Sequence, residues 1–436
     1  MKRVLLCATT TGYQIRSFGE AAHKLGVRLV FASDRCDQLE DPWWDQAVPI
    51  RFYDERYSVD AVLAACADAP VAGVLAVGDR PSVLAAELAA ALGLPGNPPE
   101  AGRASRNKVA TRRAFKSAGL STPSFDEVSI LDDPNALAAN CSYPAVIKPI
   151  SLSGSRGVMR VDDRREFVAA FDRLRRLLQS ADIIAERDTV HGRVLIESYV
   201  PGKEFAVEGV LTAGTFRAFA VFDKPDPLVG PFFEETIYVT PSRSSAEVQQ
   251  MIVDHITVAT QALGLRHGPV HAECRVSSQG VCVLEVAPRP IGGLCSKAVR
   301  FTRPGGASAS LEEVLLRHAI GEDIFTFTIS PGASGVMMIP IPKRGVFRSV
   351  DGVDDARRID GIDEIRITAK PDELLIPLPE GRSYLGFIFA AGHHPAAVEQ
   401  SLRDAHAKLS FAIDREIEMA TPRELPMSYS TNPDVR

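Results

Sequence analysis

The amino-acid sequence predicts a multidomain protein of the α/β and α+β classes that opens on a parallel-sheet domain. Three observations carry this. The first hundred residues alternate strand and helix patterns, as parallel strands joined by crossover helices do. The chain has 436 residues, 45% of them hydrophobic and 24% charged, which is ordinary for a globular protein and too long for one core. Beyond about Phe325 the texture shifts to short strands and Gly-Pro turns, the mark of a smaller α+β unit.

VLLCA (4–8) reads as the first strand, followed by a helix from about Tyr13 to Leu25, RLVFAS (28–33), GVLAVG (73–78) and a helix from Pro81 to Leu92. A Thr-Gly turn follows the first strand without a Gly-x-Gly-x-x-Gly, so Asp34 makes only a weak case for a dinucleotide ribose. GLPGNPPE (93–100) stops the helix and marks a boundary near residue 100. A helix from Lys108 to Ala118, the extended YPAVIKPI (143–150), a Gly/Ser loop SLSGSRG (151–157), a helix near 164–179 and VLIESYV (194–200) come next. KEFAVEGVL (203–211), an apolar loop around PLVGPFFEET (227–236) and a helix near 245–263 precede a hairpin over 267–293. A C-terminal α+β domain over 326–420, with a final helix at 395–410, and a loose tail over 421–436 complete the expectation.

Composition narrows the function classes. The formal net charge is only −6, and Lys and Arg are scattered among acids, which leaves no basic stripe for nucleic acid. The N-terminal apolar run is too brief for a signal peptide and no apolar stretch approaches bilayer length, so a cytoplasmic protein without a membrane partner is the default expectation. Seven cysteines, never spaced as Cys-x-x-Cys, read as small reduced core residues.

The hairpin carries the metal argument. By parity Val270, Ala272, Cys274, Val276, Cys282, Leu284 and Val286 share an apolar face, while His271, Glu273, Arg275, Glu285 and Arg289 share the other. A solvated surface explains that polarity but not the choice of charges. If Ser278-Gln279-Gly280 is a three-residue loop, Glu273 lies directly opposite Glu285, and an even-length loop would separate them. Facing carboxylates repel, and a bound dication reverses the sign. Arg289, four residues beyond Glu285, is placed to clamp a carboxylate or phosphoryl group.

Lys148 ends the strand AVIK just before the Gly/Ser loop, where a lysine and loop amides can meet phosphate together. Glu197 and Glu204 flank a Pro-Gly turn in IESYVPGKEF, a segment compatible with a hinge against an adenine edge or with a plain surface hairpin. Glu235, beside Phe232 and Phe233, is a candidate for a substrate ammonium, with a rim glutamate above a packed aromatic pair as the plainer alternative.

Taken in order, RNK (106–108), VIKP with SLSGSRGV (146–158), IESYVPGKEF (196–205), and HAE followed by LEVAPR (271–289) resemble the ATP-grasp superfamily. The strand-helix domain ahead of them is similar to a pre-ATP-grasp domain, and SGVMMIPIPKRGVF with SYLGFIFAAGHHP resembles the C-terminal domain of the L-amino acid ligase branch. The resemblance implies an ATP-grasp domain over 101–325, with a lid over about 108–196 and a metal-binding part over about 203–325. It implies that Lys108 and Lys148 hold ATP phosphates, that Ser153, Gly154, Ser155, Arg156 and Gly157 form a mobile phosphate-covering loop, and that Glu197, Ser198 and Val200 meet adenine. Glu204 would bind the ribose, Glu273 and Glu285 would bind Mg²⁺ or Mn²⁺, and Arg289 would face an acyl phosphate. Ala287 stands where many relatives carry Asn, which removes one possible metal ligand.

The expected activity is an ATP-dependent carboxylate–amine ligase that joins amino acid-like substrates through an acyl phosphate. Its partners are small-molecule carboxylates and amines, with a homodimer the one protein contact entertained. A carboxylase-like enzyme that activates bicarbonate and a non-catalytic ATP-binding subunit are the alternatives.

Overall fold

The computed structural model describes residues 1–9, 12–34 and 47–416, so Thr11 of the first turn, Cys36 and the 421–436 tail lie outside it. β1 (Arg3–Ala8), β2 (Arg28–Ser33), β3 (Val48–Pro49) and β4 (Gly73–Val77) form an all-parallel sheet in the order β3-β2-β1-β4. Val4 to Cys7 are completely buried, as expected of a strand covered on both faces by helices. α1 (Gly12–Leu25), α2 (Glu55–Cys66) and α3 (Asp79–Ala91) supply that cover, and α3 is so rich in alanine and leucine that it is buried on most sides.

Where the sequence marks a stop at GLPGNPPE, the chain turns at once into α4 (Pro99–Arg106), with Pro99 at the first helical position, where its missing N–H costs nothing. α5 (Lys108–Ser117) follows without a linker. Asn107 separates the two by turning extended and capping α5, its Oδ1 accepting from the Val109 and Ala110 amides at 3.0 Å.

β5 (Phe125–Ser129), β6 (Ala145–Pro149), β7 (Met159–Val161) and β8 (Arg193–Ser198) form an antiparallel sheet in the order β5-β8-β6-β7. The helix Arg164–Leu178 lays the stripe Phe167, Phe171, Leu174 and Leu178 against Ile147, Met159, Val161 and Ile196. This is the lid.

β9 (Lys203–Thr212), β10 (Thr215–Asp223), β11 (Ile237–Thr240), β12 (Gly268–Ser277) and β13 (Gly280–Ala287) make five strands of an eight-stranded sheet. The other three, Ala333–Ile339, Ile362–Ile367 and Gly386–Gly392, come from beyond residue 326. Ala333–Ile339 is buried along its whole length and pairs with the equally buried β11, so the sheet runs unbroken through the point where the texture of the sequence changes.

The hairpin corrects one expectation by preserving another. Glu273 does pair with Glu285, but the loop is Ser278-Gln279, closed by the Ser277–Gly280 pair, and so has two residues rather than three. A bulge at Leu284 inserts the extra residue and restores the facing of the two glutamates. The bulge also reassigns the second strand. Val281, Val283 and Val286 enter the core with Val270, Ala272 and Cys274, while Leu284 is half-buried and Cys282 faces away, its thiol against the Ser121 carbonyl.

Candidate active site

β9 and β12 run antiparallel with Glu204 opposite Arg275, Ala206 opposite Glu273, and Glu208 opposite His271. On one face this sets acids and bases in cross-strand pairs. Arg275 Nε donates to Glu204 at 2.8 Å, and His271 Nδ1 lies 3.2 Å from Glu208. Just past β10, Lys224 Nζ donates to Glu204 at 2.8 Å, to Glu235 at 2.7 Å and to Glu273 at 2.7 Å.

Carboxylate oxygens of Glu204, Glu235 and Glu273 lie within 4.8 Å of one another, the spacing a cation site needs. Three acids share one ammonium. Burial opposes the Lys224 charge, but Glu204, Glu235 and Glu273 outweigh it and hold its pKa well above the usual lysine range. Burial and Glu273 push the Glu235 carboxyl up to about 7 against the pull of Lys224, while Lys224 and His271 overcome burial at Glu273 and hold it well below the ordinary value. Glu235, expected at a substrate ammonium, is thus engaged by a lysine of the chain itself.

Around Glu197 the ratio is reversed. Arg112, completely buried on α5, donates its Nε to Glu197 at 2.6 Å, and Lys148 at the end of β6 meets the other Glu197 oxygen at 2.5 Å. Two cations share one acid. Arg112 also donates to the Leu284 carbonyl at 2.7 Å, satisfying the bulge that holds Glu285 in register. Burial raises the Glu197 carboxyl, but Arg112 and Lys148 overcome it and leave it at about 2. Burial pulls Lys148 down to about 8 in spite of Glu197. Lys108, one turn before Arg112, donates to the Leu152 carbonyl at 2.7 Å and approaches Glu285 at 3.8 Å, joining the two clusters.

Gly154, Ser155 and Gly157 all take positive φ, curling the Gly/Ser loop tightly. A Cβ on Gly157 would come within 2.9 Å of Leu174, so no other residue fits there without displacing the lid core. Gly157 N–H donates to the Pro379 carbonyl at 2.8 Å, and Arg156 donates to the Glu380 carbonyl at 2.8 Å and pairs with Asp182 at 2.8 Å. Among the described residues the Gly154 and Ser155 amides have no protein acceptor. Asp79 at the start of α3 holds Arg289 through two contacts of 2.9 and 3.2 Å. Arg289, expected to face an acyl phosphate, is paired with this N-terminal carboxylate instead, while Arg156 points from the loop to the C-terminal segment.

Of the hinge residues, the Ser198 hydroxyl accepts from the Ser124 amide, the Val200 carbonyl accepts from Arg275, and both Glu204 oxygens are taken by Lys224 and Arg275. Sequence reasoning missed Lys224, Arg112 and Asp79. The one local signal was the position of Arg112 four residues after Lys108, which puts both on one face of α5.

The chain matches the ATP-grasp N-terminal domain over residues 19–96, the ATP-grasp domain over 141–298 and the L-amino acid ligase C-terminal domain 2 over 337–414. An uncharacterized protein of Sinorhizobium fredii is 23% identical over 95% of this chain and 84% of its own length. An alanine–anticapsin ligase of Bacillus amyloliquefaciens is 27% identical over 46% of this chain, which spans 44% of that enzyme. The structure of an L-amino acid ligase from Bacillus licheniformis superposes with a TM-score of 0.80 at 27% identity, over 95% of this chain and 99% of that one. An N5-carboxyaminoimidazole ribonucleotide synthetase from Thermotoga maritima shares the fold at 15% identity, with a TM-score of 0.67 over 95% of this chain and all of that one. No helix among the described residues is long and apolar enough to cross a membrane. With its three matched domains in this order, the chain carries an ATP-grasp domain between an ATP-grasp N-terminal domain and an L-amino acid ligase C-terminal domain, and it is built on the plan of an L-amino acid ligase.

Proposed function

We propose that this ligase activates a carboxylate with ATP and passes the acyl group to an amine, joining two amino acid-like substrates with release of ADP and phosphate. One observation carries the reading: the contact between Lys108 and Glu285 connects the acid-rich network on the sheet with the cations gathered around Glu197. A nucleotide triphosphate with its metal has the complementary pair of charges.

The residues fit both groups. Glu204, Glu235 and Glu273 bring carboxylate oxygens close together, and Glu285 faces Glu273 across the strand pair, oxygen ligands of the kind a hard dication accepts, with Lys224, Arg275 and His271 among them. Magnesium, when bound, supplies charge neutralisation at the transferring phosphoryl group. The chain's own residues do the positioning. Lys108, Lys148 and the open amides of Gly154 and Ser155 orient phosphate oxygens, and the curled loop, anchored at Pro379 and Glu380, keeps water from a reactive acyl phosphate. Arg289, once released from Asp79, offers a planar fork to the acyl phosphate.

ADP release measured with amino acids singly and in pairs, and with bicarbonate, tests the reading. The account expects ADP only when a carboxylate and an amine substrate are both present. Release with bicarbonate alone favours a carboxylase, and none under any condition ends the ligase reading.

A further inference from the structure

Beside the proposed reaction centre opens a cavity of about 330 Å³, between the C-terminal ends of β3 and β4 and the lid. Its wall interleaves with the site along the chain: Arg80 follows Asp79, Asn107 precedes Lys108, and Ser151 opens the segment that becomes the Gly/Ser loop. The volume lies at the low end for ligand pockets and suits a side chain rather than a nucleotide.

Its charges are not all matched. Arg106 is held by Asp188 at 2.6 Å and Glu186 at 3.6 Å. Arg80 and Arg187 have no carboxylate partner among the described residues. Arg80 donates to the Glu186 main-chain carbonyl at 2.9 Å and lies over Phe52, and Arg187 lies over Tyr53 from a backbone with φ of 53°. Burial, with Arg106 nearby, holds the Arg80 pKa below its ordinary value against the pull of Glu186 and Asp188. The Ser151 hydroxyl, in a residue only 8% exposed, has no hydrogen-bond partner, and neither has the buried Nε of Arg106. Buried polar groups are rarely left so unless something else completes them.

Resting on the ligase reading above, we propose that this cavity is a subsite for a second, unreacting carboxylate, so that one of the two substrates is an acidic amino acid. Arg80 and Arg187 present guanidinium forks to that carboxylate and Ser151 donates its hydroxyl. The nearby acids Glu186 and Asp188 favour a singly charged group over a phosphate dianion.

The test compares kcat/KM for glutamate with glutamine, and for aspartate with asparagine, each paired with a common neutral amino acid and ATP. The wild type is expected to prefer the acid by at least about tenfold, because a site built for a charged group leaves its donors unpaired with the amide. Arg80→Met and Arg187→Ala bring the ratio close to one. Arg187 is exposed, so that variant decides the matter even if Arg80→Met does not fold. Ser151→Ala lowers the ratio while raising the melting temperature of the free protein, since it removes a buried hydroxyl that nothing satisfies. Equal use of acid and amide by the wild type, or an undiminished preference in Arg187→Ala, overturns the subsite. ADP release with neutral pairs but no acid preference leaves the ligase reading standing, whereas no ADP with any pair rejects both.

Discussion

On the large sheet three carboxylates share the single ammonium of Lys224, whereas on the lid two cations share the single carboxylate of Glu197. Arg275 also holds Glu204 and His271 lies beside Glu273, so the sheet cluster is an extended network of paired charges, whereas the cluster around Glu197 is small and carries more cations than acids. The two clusters differ in how their members back one another up: Glu197 keeps Arg112 if Lys148 is lost, and Glu204 keeps Arg275 if Lys224 is lost, but among the described residues Glu235 has an ion pair with Lys224 alone.

That asymmetry is sharpest in stability. Lys224→Met strands buried carboxylates and is expected to cost about 3–5 kcal/mol, the usual effect of removing one member of a buried ion pair. Added Mg²⁺ recovers more stability in this variant than in the wild type, because the dication replaces the missing charge. Denaturant midpoints with and without Mg²⁺ measure both effects, and a variant as stable as the wild type removes Lys224 from its central place.

Next in size is Glu285→Ala. Its carboxylate is part-exposed and only 3.8 Å from Lys108, so the fold persists, while turnover falls by about 10²–10³-fold if it helps to position charge at the phosphoryl group. Normal turnover in this variant refutes the metal assignment.

The lid cluster makes a pH prediction. The ordinary lysine value is 10.5, and burial brings folded Lys148 to about 8. A lysine lowered on folding costs stability while charged, below about pH 8, and that cost is relieved as pH rises toward 10.5. Phosphate binding runs the other way, so kcat/KM for ATP should decline as pH rises through about 8. Lys148→Arg moves the decline to higher pH, and an unmoved profile assigns the limb to another group.

The smallest effect is expected at the lid anchor. Glu380 meets Arg173 at 2.5 Å with both side chains part-exposed, a contact worth no more than about 1 kcal/mol. Glu380→Ala should leave melting nearly unchanged and alter KM for ATP by a few-fold.

Much of the frame was legible because strand and helix periods are local properties. The buried first strand, the α3 cover, the lid lysine and the Glu273–Glu285 pair all followed from patterns within a few residues. The Glu273–Glu285 pairing expected from a three-residue loop forms through a different one, since a two-residue turn and a bulge at Leu284 give the same facing. What periodicity cannot supply is a partner distant in sequence. Asp79 meets Arg289 across 210 residues, Lys224 meets Glu273 across 49, and Arg112 reaches the Leu284 carbonyl across 172. Those contacts decide which expected site residues are free to meet a ligand and which are already engaged.

The central claim is that a carboxylate is activated by phosphoryl transfer before an amine attacks. Oxygen-18 placed in the carboxylate of the acyl substrate, in whichever pair releases ADP, tests it directly. Attack through an acyl phosphate carries one labelled oxygen into the released inorganic phosphate, and phosphate that forms beside amide product without label contradicts the account.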